Sequence, residues 1–185
     1  MKKPSFLLYL AALLILGSCA SSKKSSHSNL LTNAPDGTAT PHEAAAPKAA
    51  LSMNQPLDIN REELVRYAKT FLGTPYKYGA ADPQKGFDCS GFLYYLFRHY
   101  HVKPPRSSYD YEHVGQTVSI QKALPGDLIL FRGEHSSRIG HIGMITSGKE
   151  PLSFIHAAGS GTGVIISTFS GYYKRQFVKV IRVLQ

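Results

Sequence analysis

Phe87-Asp88-Cys89-Ser90-Gly91-Phe92-Leu93-Tyr94-Tyr95-Leu96-Phe97-Arg98-His99-Tyr100 decides how this chain is read. Phe92, Leu93, Leu96, Phe97 and Tyr100 recur at three and four residues, the period of a helix that buries one face. Carried backwards, the series reaches Cys89 and puts a thiol on the core-facing stripe in the first turn. Asp88 is then the N-cap, its carboxylate accepting from backbone N–H groups that have no partner inside the helix. A cysteine attacks as its thiolate, whereas an ordinary thiol titrates near about 8.5. The helix start favours the anion, because unpaired N–H groups and the positive end of the dipole face it, and the same donors can hold an oxyanion. The Asp88 charge opposes the thiolate, so a protonated imidazole is expected close by.

Upstream, Leu64, Val65, Ala68, Phe71 and Leu72 give a second helical stripe. Acidic residues fall in its first turn and Gly73 stops it, so the folded domain is expected to begin at Asp58. Residues 74–86, with their Gly and Pro, read as a loop. Downstream of Gln121 the period changes. Pro125-Gly126 is a turn signal, and residues 127–131, 141–146, 152–157, 164–169 and 177–183 are short apolar or β-branched runs separated by Gly, Ser and charges. Helices first and strands afterwards imply an α+β domain on an antiparallel sheet.

The remaining N-terminal third has a different character. Lys2 and Lys3, an apolar run from Phe6 to Leu16, and then Leu16-Gly17-Ser18-Cys19 read as an export signal over residues 1–18 ending in a lipobox, with Cys19 as the lipidated residue. The apolar run is shorter than the ~20 residues that span a bilayer. Residues 19–57 are rich in Ala, Ser, Thr and Pro without an apolar period, and read as a lipid-anchored start and flexible linker with a mean reach of roughly 30–40 Å. The domain occupies residues 58–185. Lys plus Arg number 21 against 12 Asp plus Glu, a formal charge of +9 with no run of five like charges. With no zinc-finger or RNA-binding signature beside it, the excess points to an anionic polymer or headgroup layer rather than nucleic acid.

The chain has two cysteines, and if one is lipidated Cys89 is a lone thiol in an exported protein, which invites a functional reading over an inert core residue. Eight histidines are available. His27 and His42 lie in the linker, His99 and His101 at the far end of the Cys89 helix, and His113 and His135 in loops. His141 and His156 sit within apolar strand runs, where a histidine is commonly a satisfied core residue. Joined to a lone helix-start cysteine, they supply the nucleophile, base and orienter of covalent catalysis. A zinc site on the same three residues is an alternative, although no short paired spacing supports it.

Gly73-Thr74-Pro75-Tyr76-Lys77-Tyr78-Gly79, Phe87 to Phe92, Pro125-Gly126-Asp127-Leu128, Gly140-His141-Ile142-Gly143-Met144 and Phe154-Ile155-His156-Ala157, in that order, closely resemble the NlpC and p-sixty family of papain-like cell-wall cysteine peptidases. The resemblance spans roughly residues 60–183. It implies a papain-like fold and a cofactor-free peptidoglycan endopeptidase acting on peptide stems, at either the bond between γ-D-glutamate and the diamino acid or the D-alanyl cross-link between stems. Cys89 would be the nucleophile, His141 the general base and acid, and His156 the orienter of the His141 ring. Tyr76 matches a tyrosine near the nucleophile. Asp88 and Ser90 match positions that help bind the free amino end of a stem, and Arg106 and Ser107 match a block bordering the substrate groove. A monomer held by its lipid to the periplasmic side of an outer membrane, or to the outer face of the cell membrane, is the expected setting. An acyltransferase or lipase of the same fold and a non-catalytic wall-binding module are the competing readings. Three departures stand out: Ala80 where a second glycine is usual, Tyr111 where a glutamine often stands, and a polar stretch at residues 132–139.

Overall fold

The computed structural model describes residues 51–185. The signal at residues 1–18, Cys19 and the linker up to residue 50 lie outside the described residues. In chain order the elements are β1 (Leu51–Ser52), α1 (Arg61–Lys69), β2 (Ala81–Asp82), β3 (Gly86–Phe87), α2 (Cys89–His99), β4 (Val102–Lys103), β5 (Gln116–Val118), β6 (Leu128–Arg132), β7 (Ile139–Ser147), β8 (Ser153–Ala157), β9 (Val164–Thr168), α3 (Gly171–Gln176) and β10 (Phe177–Arg182). Short 3-10 turns cover Ser108–His113 and Ile120–Lys122.

The main sheet runs β5-β10-β6-β7-β8-β9, and every adjacent pair in it is antiparallel. Successive strands from β6 to β9 are neighbours, whereas β10 returns across the sheet to lie between β5 and β6. Leu128-Ile129-Leu130-Phe131 is apolar throughout because both faces of β6 are covered. Leu128 and Leu130 pack towards the helices, with Phe92, Leu96, Ile142 and Met144 in one core. Ile129 and Phe131 face the other way, into a smaller core with Ile145, Phe154 and Val180. Each such side chain contributes about 1.5–3 kcal/mol through burial.

The helix around Cys89 forms as its sequence requires. Asp88 is the N-cap, with its carboxylate accepting from Gly91 N at 2.6 Å. Cys89, Phe92, Leu93, Leu96 and Phe97 are all buried. Gly91 allows the helix start to approach the preceding loop, since a Cβ there would sit 2.1 Å from the Ala80 carbonyl oxygen.

Two boundaries differ from the sequence expectation. Helix α1 starts at Arg61 behind Asn60, whose side chain accepts from Glu63 N at 3.0 Å, rather than at Asp58. The folded part also begins before Asp58. Leu51–Ser52 pairs in parallel with Val102–Lys103, Met53 and Leu57 are buried, and Leu57 N donates to Val183 O at 2.8 Å. Residues 51–57 are therefore part of the domain, not the end of a linker that runs to residue 57. The loop at residues 74–86 contains β2 and leads into β3, which form a small hairpin against α2.

Asp127, fully buried at the start of β6, clamps the domain. Arg61 Nη1 reaches it at 3.0 Å and Arg182 Nη2 at 2.7 Å, so one carboxylate ties α1 and β10 to β6. Leu124 N donates to it as well, at 2.9 Å. No helix among the described residues is long and apolar enough to cross a membrane.

Candidate active site

Cys89 opens onto a cleft of about 460 Å³ whose walls include Tyr76, Asp88, Ser90, Arg106 and Ser107. All five residues expected at the substrate side thus gather around the one thiol of the described residues. Tyr78, Ser108 and Tyr109 line the cleft too. Tyr78 and Tyr109 are exposed in the folded domain, which marks them out where their sequence positions do not. A cavity of about 530 Å³ beside Met53 and the C-terminus holds no nucleophile or histidine.

On the helix wall the charges are paired. Arg106 grips Asp88 with both ends of its fork, Nη1 to Oδ1 at 2.9 Å and Nη2 to Oδ2 at 2.8 Å. Gly91 N and Gly79 N fill the same two oxygens from the backbone, and Ser90 Oγ donates to Oδ1 at 3.3 Å. Burial alone would raise the Asp88 pKa. The Arg106 hydrogen bonds and charge, with the two amides, outweigh it and hold the carboxyl below its usual range. Ala80 joins this network through its backbone, its carbonyl accepting from Asp88 N at 3.1 Å and Arg106 Nη2 at 3.3 Å. Its φ lies outside the left-handed region, so the methyl group is accommodated there.

The histidines lie on two adjacent strands of the main sheet. His141 on β7 and His156 on β8 face each other, Nε2 of the first 2.7 Å from Nδ1 of the second, with the rings nearly perpendicular. Gly143 makes room for this pair, because a Cβ there would lie 2.8 Å from the Phe154 ring and 3.2 Å from His156 Cβ. His156 is fully buried, and its Nε2 meets Ser167 Oγ at 2.9 Å and the Tyr173 hydroxyl at 3.3 Å. Those two partners were not found from the sequence. The available signal was the strand period: Ser167 lies opposite Phe154, on the face that also carries His156.

Burial lowers the His141 pKa to about 4, and burial together with the neighbouring His141 ring lowers that of His156 to about 3. The Cys89 thiol is pushed up by burial and by the Asp88 carboxylate, which together outweigh the Ile142, Ser90 and Cys89 backbone groups that favour the anion. The expectation of a protonated imidazole beside a stabilised thiolate is therefore corrected. Burial favours the uncharged forms of both imidazoles and of the thiol, and Arg106 is the cation paired with Asp88. The thiol sits 4.0 Å from Gly140 O and makes no hydrogen bond to the His141 ring. Catalytic hydrogen bonds commonly shorten only once substrate is bound.

Tyr111 is fully buried and its hydroxyl has no partner among the described residues. The departure from glutamine therefore alters the core rather than the cleft surface. Residues 132–139 form the β6–β7 turn, closed by Gly133 N to Arg138 O at 2.9 Å. With Tyr172 and Tyr173 the turn bounds a smaller cavity of about 180 Å³ on the far side of His141. Among the described residues, no group of three His, Cys, Asp or Glu is arranged to hold a metal ion.

Residues 73–182 match the model of the NlpC/P60 family. The chain is 30% identical over 177 residues to a murein DD-endopeptidase MepS/murein LD-carboxypeptidase of Escherichia coli K12, covering 95% of this chain and 89% of that one. It is 31% identical to a gamma-D-glutamyl-L-lysine dipeptidyl-peptidase of Bacillus subtilis, over 65% of this chain and 40% of the relative. Among solved structures, an NlpC/P60 family protein from Bacillus cereus superimposes with a TM-score of 0.63 at 25% identity, covering 72% of this chain and 43% of that one. The NlpC/p60 domain of the peptidoglycan hydrolase SagA does so with a TM-score of 0.56 at 28% identity, over 66% and 98%. The family model and these relatives agree with the helix-start cysteine and the histidine pair on adjacent strands: the chain belongs to the NlpC/P60 family of cysteine-type hydrolases.

Proposed function

We propose that this protein is a peptidoglycan endopeptidase that cuts the D-alanyl cross-link between peptide stems, through a thioacyl-enzyme on Cys89. The observation that carries the reading is the thiol at the start of α2, 4.0 Å from the carbonyl of Gly140, the residue before His141 of the hydrogen-bonded His141–His156 pair. His141 takes the thiol proton as Sγ attacks the carbonyl carbon. Backbone N–H groups at the helix start donate to the oxyanion, and Tyr76, whose hydroxyl burial keeps protonated, lines the same cleft as a further donor. As the intermediate collapses, the C–N bond breaks and the amine leaves with the proton held by His141. Water, deprotonated by the same ring, then hydrolyses the thioester and restores the thiol.

Two findings favour the cross-link over the bond between γ-D-glutamate and the diamino acid. The relative that matches nearly the whole chain is named a murein DD-endopeptidase. The Asp88 carboxylate, expected from the resemblance to receive the free amino end of a stem, already has both oxygens filled by Arg106 and backbone amides. A cleft with no unpaired anion at that point places no demand for a free amine, which suits cleavage within intact, cross-linked stems.

The enzyme works as a monomer without nucleic acid, tethered by lipid on Cys19 to a membrane of the cell envelope, where its linker gives it reach into the wall. Cys19→Ala should move it to the soluble envelope fraction with unchanged activity on dissolved fragments; a Cys19→Ala protein that stays with the membrane contradicts the anchor. Mass spectrometry of purified cross-linked peptidoglycan after digestion tests the bond. The expected products are uncross-linked stems with a new free amine on the diamino acid side chain. Release that leaves L-alanyl-D-glutamate on the glycan would instead place the cut at the γ-D-glutamyl bond.

A further inference from the structure

The His141–His156 contact can serve catalysis in only one of two proton arrangements. A neutral imidazole carries a single N–H, and the 2.7 Å contact requires one ring to donate and the other to accept. If His156 Nδ1–H donates to His141 Nε2, the His141 proton lies on Nδ1, and no ring nitrogen remains to receive a proton from Cys89. If His141 Nε2–H donates to His156 Nδ1, then His141 Nδ1 is free as a base and the His156 proton must be on Nε2. In the fully buried His156 that proton cannot be shared with bulk water. It needs an acceptor from the protein.

Ser167 Oγ at 2.9 Å and the Tyr173 hydroxyl at 3.3 Å are the two groups within hydrogen-bonding distance of His156 Nε2. They arrive from different elements, β9 and α3. The Tyr173 ring is itself fixed, edge-on to Phe154 with centroids 4.9 Å apart and to His156 at 5.3 Å. Both residues are half-buried, so each hydroxyl can turn its own hydrogen towards solvent and offer a lone pair inward.

We propose that Ser167 and Tyr173 are positioning residues that select the working tautomer of the catalytic histidine pair. Their oxygens accept the His156 Nε2 proton. His156 Nδ1 then accepts from His141 Nε2–H, and His141 Nδ1 is left as the nitrogen that takes the Cys89 proton. The proposal rests on the assignment of Cys89 and His141 as nucleophile and base.

Nitrogen-15 NMR of the full protein labelled at histidine reads the tautomers directly. The expected spectrum has Nε2 of both His141 and His156 protonated and Nδ1 of both unprotonated; a protonated His156 Nδ1 in the wild-type protein overturns the proposal without any variant. In Ser167→Ala/Tyr173→Phe the pair should lose this single pattern, and kcat should fall roughly 10- to 100-fold, the size seen when an outer partner of an oriented histidine is removed. Ser167→Ala alone should lose less, because Tyr173 remains. Ser167→Thr, which keeps the hydroxyl, should restore both the spectrum and the rate. A double variant with wild-type kcat and an unchanged spectrum overturns the proposal. Cys89→Ala separates the two levels: if it is inactive while the double variant is fully active, only the tautomer assignment fails, and if it is active the nucleophile assignment has failed first.

Discussion

On the helix wall of the cleft, Asp88 and Arg106 are ionised, bound to one another through two hydrogen bonds and anchored to three further donors. On the strand side, His141 and His156, whose uncharged forms burial favours, are in contact through one short hydrogen bond and backed by hydroxyls. Both walls are polar groups taken out of water, yet burial has opposite outcomes. It is overcome at Asp88 by a matched cation and prevails at the imidazoles, which meet no anion. The paired charges hold geometry and have no proton to give at neutral pH. An uncharged ring keeps one nitrogen free to take and return a proton, while its partner holds it in place.

This contrast breaks most sharply at the base. His141→Ala should lower kcat/KM by about 1,000-fold or more, whereas His156→Gln, which keeps a hydrogen-bonding group, should cost roughly 10- to 100-fold. Equal steady-state rates for the two would mean that the strand wall does not divide its work between a proton carrier and an orienter.

The helix wall should fail by a different route. Arg106→Leu leaves a largely buried carboxylate without its cation, and should cost about 2–3 kcal/mol in urea unfolding. That is less than a fully buried pair would lose, because Arg106 itself is 38% exposed. Activity should fall with it, since Asp88 caps the helix that presents Cys89. An Arg106→Leu protein with the wild-type urea midpoint would show that the ion pair does not hold this wall.

The neutral rings also leave a signature in pH. Their folded pKa values, about 4 for His141 and about 3 for His156, lie below the unfolded value of about 6.5. The unfolded chain therefore takes up protons that the folded one refuses. Stability from these rings is complete above about pH 6.5 and is lost as pH falls from there through about 4. The thermal midpoint of His156→Gln should fall less steeply over that window than that of the wild type. Identical slopes would contradict a neutral buried pair. Arg66→Ala supplies the contrasting small effect: its contact with Glu63 is 3.7 Å long and exposed, so stability should change by less than about 0.5 kcal/mol.

Much of the candidate site is legible in the sequence, because its residues sit on strong local signals. The helical period reached back to Cys89, and Asp88 had the chemistry of an N-cap. His141 and His156 lay in strand runs that do form β7 and β8. The less visible parts are those that depend on tertiary neighbours. Ser167 and Tyr173 are ordinary residues until β9 and α3 bring them to His156. The fork of Arg106 on Asp88, 18 residues away, is equally silent in a linear chain. Leu51 and Met53 fall at the end of a stretch rich in Ala, Ser, Thr and Pro without an apolar period, which reads as linker, and only pairing with β4 and burial in the core show that they fold. The state of the thiol needed the whole environment as well, since the helix start argued for the anion and desolvation decided against it.

The central claim is that one sulfur does the chemistry. Cys89→Ala removes it with little change in volume, on a helix whose remaining contacts are unaltered. Hydrolysis of purified cross-linked peptidoglycan, measured by release of uncross-linked stems at matched concentrations of wild-type and Cys89→Ala protein with the same thermal midpoint, should show no activity above background for the variant. A folded Cys89→Ala protein that releases stems at the wild-type rate would contradict the account.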